Sequence, residues 1–343
     1  MKKLIPLIFL CLLAPATSYG WDSVGHRTTT TVALNFLSQE KREKLVAILQ
    51  QHPRYQVDFL DSMPAFIERG DDTAQADWLL GQAAYWPDIA RGLEGSDRRR
   101  YNRPAWHFTD GAWIRGMANV QGNIYLDVRR FPDITGSDAA TIRNQNQIDN
   151  IITALDYNTK ILADDTSLPT DRAVALCWVL HLMSDLHQPL HAGSLYSRNL
   201  FDFGDRGGNG ITTDSRSLHY RWDSALAGET INRNVELILE EISALSLPVI
   251  QGQSSNWTIW LQESREILLD WVYTDAMKIE IRRAENENAS FEAVPLSAGY
   301  VNSMIQSSRR RIGLAGYRIA IWVENELNET VTWPLAETPS LLQ

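Results

Sequence analysis

The sequence predicts an all-α protein. Apolar residues recur at three- and four-residue spacing through most of the chain, as in helices with one buried face, whereas alternating strand-like runs are scarce. With 343 residues, 44% of them hydrophobic, and 12 tryptophans, the chain can bury a large core. No Pro/Gly/Ser-rich linker, repeat or low-complexity block interrupts residues 21–343, so we expect them to form a single helical domain.

The first twenty residues have the pattern of a secretory signal peptide. Lys2 and Lys3 precede an apolar run over 4–13, and Ser18-Tyr19-Gly20 follows as a cleavage site. The run is far shorter than the ~20 residues that span a bilayer, so no membrane anchor is expected. We predict a mature chain that starts at Trp21 and is secreted or periplasmic. Only Cys177 remains in it, which excludes an intramolecular disulfide.

Six segments carry the helical spacing most clearly. They are 27–37, 147–162, 170–186, 234–245, 257–284 and 300–327. The third of these should end before Pro189, because proline cannot continue a helix. Loops rich in Gly, Asp and Asn, notably 193–214, separate the helices, and such loops often carry functional residues.

The negative charge of the chain limits which ligands can bind over a wide area of its surface. The formal net charge is −10, and removal of Lys2 and Lys3 with the signal makes it −12. A broad basic track for duplex DNA is therefore not expected. If the substrate is a polyanion, the cations that bind it must be local.

The seven histidines are unevenly distributed. His181 and Asp185 are four residues apart on a predicted helix, so both project from one face about 6 Å apart along the axis. His191 follows on the turn after Pro189, where a third donor can bend back. The same four-residue spacing recurs in His219 and Asp223. Two such pairs with a third histidine nearby favour a metal cluster over ordinary buried or surface imidazoles.

The donor types indicate which metal would bind. Mixed imidazole and carboxylate ligands suit zinc better than magnesium or calcium, which prefer oxygen. Iron and manganese also fit the ligand types. Ligation without cysteine tolerates an oxidising compartment, which agrees with the predicted secretion.

Six motifs in order resemble the S1/P1 family of secreted single-strand nucleases with three zinc ions, which is related to bacterial zinc phospholipase C. The resemblance spans most of residues 21–343. The motifs are Trp21-Asp-Ser-Val-Gly-His26, Trp86-Pro-Asp88, Trp106-His107-Phe108-Thr-Asp110, His181-x-x-x-Asp185-x-His-Gln-Pro-Leu-His191, Gly204-Asp-Arg-Gly-Gly-Asn209 with Leu218-His219-x-x-Trp222-Asp223, and Ala315-Gly-Tyr-Arg318-Ile-Ala.

The resemblance implies a ligand set for three zinc ions. The first ion would be bound by Asp88, His107, His181 and Asp185, and the second by His191, His219 and Asp223. The third would be chelated by the amine and carbonyl of Trp21, by His26 and by the other oxygen of Asp185. Signal cleavage before Trp21 would then be a requirement for activity.

The resemblance also implies a reaction, the hydrolysis of single-stranded RNA and DNA to 5′-nucleotides, with 3′-nucleotidase activity. Two zinc ions about 3.5–4 Å apart can bridge and ionise a water, and that hydroxide would attack phosphorus. Asp88 would orient the water, and the third zinc would stabilise the leaving 3′ oxygen. Arg91 matches a basic residue that contacts phosphate, although its position equally suits a solvated helix charge.

Three residues match the family's base-binding set. Phe108 would stack a base, and Asp110 and Asn209 would hydrogen-bond to it. The alternative is that Asp110 caps a helix and Asn209 shapes a turn.

The segments 54–81 and 194–206 are longer than the family pattern and are expected to line the cleft. Two further histidines carry no such role: His187 is expected to support the site or the core, and His52 to lie at the surface.

Two other functions fit part of the pattern. Zinc phospholipase C has a similar cluster, but the short spacing of Trp21 and His26, the aspartate at 223 and the base-binding set favour a nuclease. A non-catalytic helical protein with structural zinc is the other alternative. Structural zinc sites are usually closed by four ligands, whereas His191, His219 and Asp223 leave an open position, which favours catalysis.

Overall fold

The computed structural model describes residues 20–109, 123–127, 150–244 and 256–327, together with the backbone of two short strands at 113–114 and 117–118. The described part is mainly helical. Its α-helices are α1 Ser23–Leu34, α2 Gln39–Leu49, α3 Ala65–Glu68, α4 Asp72–Arg91, α5 Gly95–Tyr101, α6 Ile151–Ala163, α7 Pro169–Asp185, α8 Leu218–Asp223, α9 Ile231–Ala244, α10 Trp257–Ile267, α11 Asp275–Glu287 and α12 Ala298–Glu326.

Strands contribute little to the described part. β1 (Trp113–Ile114) pairs antiparallel with β2 (Met117–Ala118), and β3 (Ile124–Tyr125) pairs parallel with β4 (Leu195–Tyr196). The register of the second pair sets Ile124 opposite Leu195. The predicted all-α class is confirmed. Among the described helices, none has both the length and the apolar character to cross a bilayer.

The helix boundaries differ from the predicted ones in ways that local chemistry explains. The segment 257–284 is divided, because a π-helical turn at Leu268–Val272 follows α10 and Thr274 caps a new helix, α11. Five of the described helices lie outside the predicted segments. α2 is rich in charged residues, α4 contains Pro87, and α3, α5 and α8 have only four to seven residues, so none of them shows a clear apolar stripe.

Helix α7 is the central element of the fold. It packs against α2, α4, α6 and α12, and 13 of its 17 residues are buried. A helix surrounded in this way is apolar on nearly every face, as Leu176, Trp178 and Leu182 illustrate. Its last turn nevertheless carries His181 and Asp185, both fully buried. The fold thus places two ionisable groups in its interior.

Side-chain caps position the helices that carry the other predicted ligands. The Asp22 carboxylate accepts from the amides of Val24 and Gly25, both at 3.0 Å, and so starts α1 just before His26. Ser217 accepts from the amide of Tyr220 at 3.1 Å and starts α8 just before His219. Each cap fixes the first turn of its helix, and the predicted ligand lies in that turn or the next.

The expectation that His52 lies at the surface is wrong. Its side chain is buried, with the ring centroid 4.4 Å from that of Trp86 and 5.2 Å from that of Phe59. Nδ1 accepts a hydrogen bond from the amide of Arg54 at 3.2 Å, and burial lowers the pKa of His52 to about 3. No motif surrounds this residue in sequence, because its partners come from distant helices.

We expect His52→Ala to lower the free energy of unfolding by about 3 kcal/mol, because it leaves a cavity among aromatic rings and removes the partner of the Arg54 amide. Phe66→Ala is the control, since Phe66 is 71% exposed on α3. Urea unfolding of the two variants beside the parent protein measures both effects. A loss below 0.5 kcal/mol for His52→Ala would contradict a packed role for this ring.

Candidate metal centre

The fully buried carboxylate of Asp185 is surrounded by imidazole rings. Its Oδ1 lies 3.4 Å from Nε2 of His26. Its Oδ2 lies 3.2 Å from Nδ1 of His107, 3.0 Å from Nε2 of His181 and 3.7 Å from Nδ1 of His191. All five side chains are buried, although they come from α1, α7 and two loops. The structure therefore brings together residues that are up to 165 positions apart in sequence.

A second group of donors lies beside this one. Nε2 of His219 is 3.2 Å from Oδ2 of Asp223 and 3.2 Å from Nε2 of His191. The other oxygen of Asp223 accepts a hydrogen bond from Gln188 Nε2 at 2.7 Å. That bond leaves Oδ2 facing the histidines. The predicted set of His191, His219 and Asp223 therefore converges in the structure.

Backbone carbonyls orient three of the rings. In each, Nδ1 lies at hydrogen-bonding distance from a main-chain oxygen, an arrangement that fixes the ring in many zinc sites. The pairs are His181 with Ala84 O at 2.8 Å, His191 with His107 O at 2.6 Å and His219 with Gly207 O at 2.6 Å. Because Nδ1 donates in these pairs, Nε2 is left as the unprotonated ring atom that can bind a metal.

The glycine-rich turn is required for one of these bonds. Gly207 has φ +57°, and a Cβ at that position would collide with the carbonyl oxygen of Leu190. Only glycine fits this approach. It aims the Gly207 carbonyl at His219, which explains physically why the Gly-Gly-Asn motif accompanies the ligand.

Several buried polar atoms have no hydrogen-bond partner among the described residues. Those in the centre include both ring nitrogens of His26, Oδ2 of Asp88, Nε2 of His107 and Oδ1 of Asp185. Leaving such atoms unsatisfied is costly, and a cation that accepts their lone pairs removes the cost. The separations of 3.0–3.4 Å around Asp185 also fit, because two ligands of a tetrahedral zinc lie about 3.3 Å apart.

The electrostatics favour the same ligand. Burial lowers the pKa of His26 and of His107 well below the ordinary histidine value, so both rings are neutral, as metal ligands must be. Burial raises the pKa of Asp88 to about 6 and that of Asp223 well above the usual range. Buried carboxylates of this kind are stabilised by a bound cation. The residues therefore fit a metal.

The donor atoms divide into three groups, each within 4.8 Å. These are Asp88 with His107 and His181, His26 with His181 and Asp185, and His191 with His219 and Asp223. The grouping agrees with three neighbouring metal positions, and it includes every predicted histidine and carboxylate ligand.

The chain just before α1 enters the same centre. Trp21 is fully buried, and its Nε1 donates to the Ser184 carbonyl at 3.1 Å, while the amide of Asp22 donates to the Asp223 carbonyl at 3.1 Å. A Cβ at Gly20 would collide with the Asp185 carboxylate. The backbone at 20–21 therefore lies directly beside that carboxylate.

Helix α4 supplies two of the predicted residues. Asp88 Oδ2 lies 3.9 Å from His26 Nε2, and Arg91, one turn later, has its Nε 3.0 Å from Asp88 Oδ1. Pro87 has no amide proton, so the helical ladder is interrupted at this turn. Within the same turn the Ala84 carbonyl accepts from His181, which ties α4 to α7.

The predicted base-binding residues have different surroundings. Phe108 is half-buried beside His107, and its carbonyl accepts from the amide of Ile151 at 3.1 Å. Asn209 donates from Nδ2 to the Arg206 carbonyl at 2.9 Å, so it does shape the glycine-rich turn. Asp110 lies outside the described residues. His187 lies outside the three donor groups, with Nδ1 2.7 Å from Met183 O and Nε2 2.7 Å from Arg318 Nη1.

Sequence reasoning missed a set of supporting residues around the turn that joins Asp185 to His191. Ser264 Oγ donates to the Leu186 carbonyl at 2.7 Å, Arg311 Nε to the His187 carbonyl at 3.2 Å, and Arg265 Nε to the Ala192 carbonyl at 2.8 Å. Ser264 and Arg265 belong to α10, and Arg311 belongs to α12. These buried donors hold the turn that carries His191, and no local motif marks them.

Comparisons with known proteins agree with this geometry. The sequence profile of the family described as S1/P1 Nuclease matches residues 21–328. The chain is 22% identical to Nuclease S1 of Aspergillus oryzae over 349 residues, which covers 94% of this chain and 98% of that protein. It is 32% identical to Endonuclease 4 of Arabidopsis thaliana over 88 residues, 23% of this chain and 27% of that protein.

We expect Ser264→Ala to lower the free energy of unfolding by about 1–3 kcal/mol and to speed the loss of bound metal, because the Leu186 carbonyl is left buried without its donor. Ser303→Ala on α12 makes the same change at an exposed position and should be neutral. Urea unfolding and metal transfer to a coloured chelator measure the two effects. Equal behaviour of the two variants would show that Ser264 does not support the turn.

Proposed function

Because the chain belongs to the S1/P1 nuclease family and is a metal-dependent endonuclease, we propose that it hydrolyses single-stranded RNA and DNA to 5′-nucleotides with three zinc ions per chain. We propose 3′-nucleotidase activity at the same site. The observation that carries the proposal is the convergence of buried imidazole and carboxylate donors around Asp185.

The ligand assignment is the one that the family resemblance implies, and the three donor groups support it. Asp88, His107, His181 and Asp185 would hold one zinc, and His191, His219 and Asp223 a second. His26, Asp185 and the amine and carbonyl of Trp21 would hold the third. The choice of zinc is supported by the mixture of imidazole and carboxylate donors.

Two residues of α4 act in the reaction in this proposal, one on the attacking water and one on the phosphate. When bound, zinc would supply the hydroxide nucleophile that the sequence analysis expects. It would also supply positive charge that stabilises the reacting phosphodiester. Asp88 orients the attacking water through its buried carboxylate, and Arg91 contacts a phosphate oxygen. The 3.0 Å separation of Arg91 Nε and Asp88 Oδ1 supports a joint role, because one group positions the other.

Substrate recognition is assigned to the rim. Phe108 stacks a base, since it directly follows His107 and is half-buried, and such stacking contributes about 1–3 kcal/mol without demanding a sequence. Asn209 hydrogen-bonds to the base from the turn that also orients His219. Asp110 is proposed for the same role, from sequence alone. Base stacking of this kind tolerates any nucleotide sequence, as expected of an enzyme that acts on single strands in general.

The mature N-terminus is part of the proposal. We place the signal peptide at 1–20, the catalytic domain at 21–343 and the enzyme outside the cytoplasm. The start of the family match at residue 21 supports this boundary, as does the position of residues 20–21 beside Asp185. Cleavage before Trp21 would place its free amine next to the orphan Oδ1 of that carboxylate.

The function is tested by release of 5′-nucleotides from single-stranded RNA, single-stranded DNA, duplex DNA and a phosphatidylcholine analogue. We expect both single strands to be cleaved much faster than the duplex and the lipid to be inert. Asp185→Asn should lower turnover by about 10²–10³-fold or more, because it removes charge shared by two metals. Asp275→Asn, a change in a 96% exposed side chain, is the control. Preferential cleavage of the lipid analogue would overturn the proposal.

The N-terminal ligand is tested with protein that bears one extra residue before Trp21. The α-amine then moves by about 3.8 Å. Zinc–nitrogen bonds of about 2.0–2.1 Å cannot absorb this shift, and the amide left at Trp21 is a poor donor. Elemental analysis should give about two zinc ions per extended chain and about three per chain that starts at Trp21, and most activity should be lost. Equal zinc content and equal turnover would refute the assignment.

A further inference from the structure

Helix α5 concentrates positive charge in an acidic protein. Arg98, Arg99, Arg100 and Arg103 fall within six positions, whereas the whole chain has a net charge of −10. The first three are exposed. The only carboxylate of α5, Asp97, already accepts from the guanidinium of Arg54 at 2.5 Å. This group, the α5 arginine cluster, is thus a strong local source of positive potential.

Two members of the cluster line a cavity of about 110 Å³. Arg100 lies at its mouth, 3.7 Å from Asp171 on α7. Arg103 is half-buried, with its guanidinium carbon 5.7 Å from the ring centroid of Trp106. Its Nη1 donates to the carbonyls of Arg99 at 2.8 Å and Asn102 at 3.1 Å, and these bonds hold the guanidinium at the cavity.

Aromatic rings form part of the remaining cavity wall, together with aliphatic side chains and the Asp171 carboxylate that pairs with Arg100. Tyr157, Trp106 and Trp178 line it, with ring centroids 6.1 Å apart for the first two and 4.7 Å apart for the last two. Trp106 and Trp178 are buried, whereas Tyr157 is half-buried and can stack a base, while the neighbouring guanidinium groups bind the phosphate of that base.

The cavity adjoins the metal centre. The ring centroid of Trp178 lies 5.3 Å from that of His107, and Trp106 immediately precedes His107 in sequence. One layer of aromatic side chains therefore separates the cavity from a metal ligand.

We propose that this cavity and the α5 arginine cluster form a subsite for single-stranded nucleic acid, which holds a phosphate and base outside the scissile linkage. The proposal rests on the proposed nuclease function for its substrate. Arg100 and Arg103 bind the phosphate, Arg98 and Arg99 attract the strand that follows, and the half-buried ring of Tyr157 stacks a base. The subsite favours long strands over dinucleotides.

The test compares Arg100→Ala, the double variant Arg98→Ala/Arg99→Ala and Arg100→Lys in the mature, zinc-loaded enzyme. Binding of a fluorescent phosphorothioate 12-mer is followed by anisotropy between 50 and 200 mM salt, and hydrolysis of a dinucleotide is measured in parallel. We expect Arg100→Ala to weaken 12-mer binding about 3–10-fold at low salt. It should also reduce the slope of the logarithm of the binding constant against the logarithm of the salt concentration by about 0.7, and the double variant should reduce that slope by about 1.4. Arg100→Lys should retain the slope, and dinucleotide hydrolysis should stay within twofold.

Arg233→Ala is the matched control, because Arg233 on α9 is also an exposed arginine with an acidic partner, Glu236, at 3.0 Å. If Arg100→Ala matches this control in 12-mer binding, or if its dinucleotide hydrolysis falls as far as its 12-mer binding, the subsite is refuted. Arginine-dependent binding to anionic phospholipid vesicles in place of the 12-mer would also overturn it. A parent protein that binds the 12-mer with the expected arginine dependence but hydrolyses neither substrate would refute the proposed function and leave the subsite standing.

Discussion

The buried carboxylate of Asp185 places the strictest demand on this fold. A carboxylate removed from water costs far more than an isolated salt bridge returns unless opposite charge and hydrogen bonds surround it. Here four imidazoles approach it, yet burial keeps His26 and His107 neutral. Asp185 raises the pKa of His181, but one charged ring cannot balance the charges of both Asp185 and its neighbour Asp88. A metal bound between carboxylates and rings can, which makes the centre and the core a single energetic unit.

That demand explains the arrangement around α7. A helix buried on nearly every face can hold a side chain still, but its own last turn supplies only His181 and Asp185. The other donors must arrive from α1, α4, α8 and two loops, and each must present a chosen ring nitrogen. Main-chain carbonyls at Ala84, His107 and Gly207 accept from Nδ1 of three rings and so leave Nε2 facing the centre. Donors from α10 and α12 hold the turn before His191. Much of the protein therefore acts as a second layer around the metals.

The helical class and five of the converging side chains were predictable because they leave short-range patterns, whereas His26, Asp88 and His107 were identified only through the family resemblance. His181 with Asp185 and His219 with Asp223 show the spacing of one helix face, and Pro189 marks the turn to His191. The support of the centre leaves no such pattern. Ser264 and Arg311 reach the turn across the core, and His52 is buried by rings from separate helices. The spacing rules also overlooked α4, whose proline and mixed faces hide its period although it carries Asp88.

The same acidic chain has to attract metal ions and, as proposed, a polyanion. These tasks need not conflict, because exposed charges are screened over about 8 Å at physiological salt, whereas charges in a buried centre are screened much less. The carboxylates proposed as metal ligands, Asp88, Asp185 and Asp223, are buried in the core. A strand then responds mainly to nearby cations. Four arginines on and after α5, beside aromatic rings that adjoin His107, supply such a region, so local placement of charge outweighs its total.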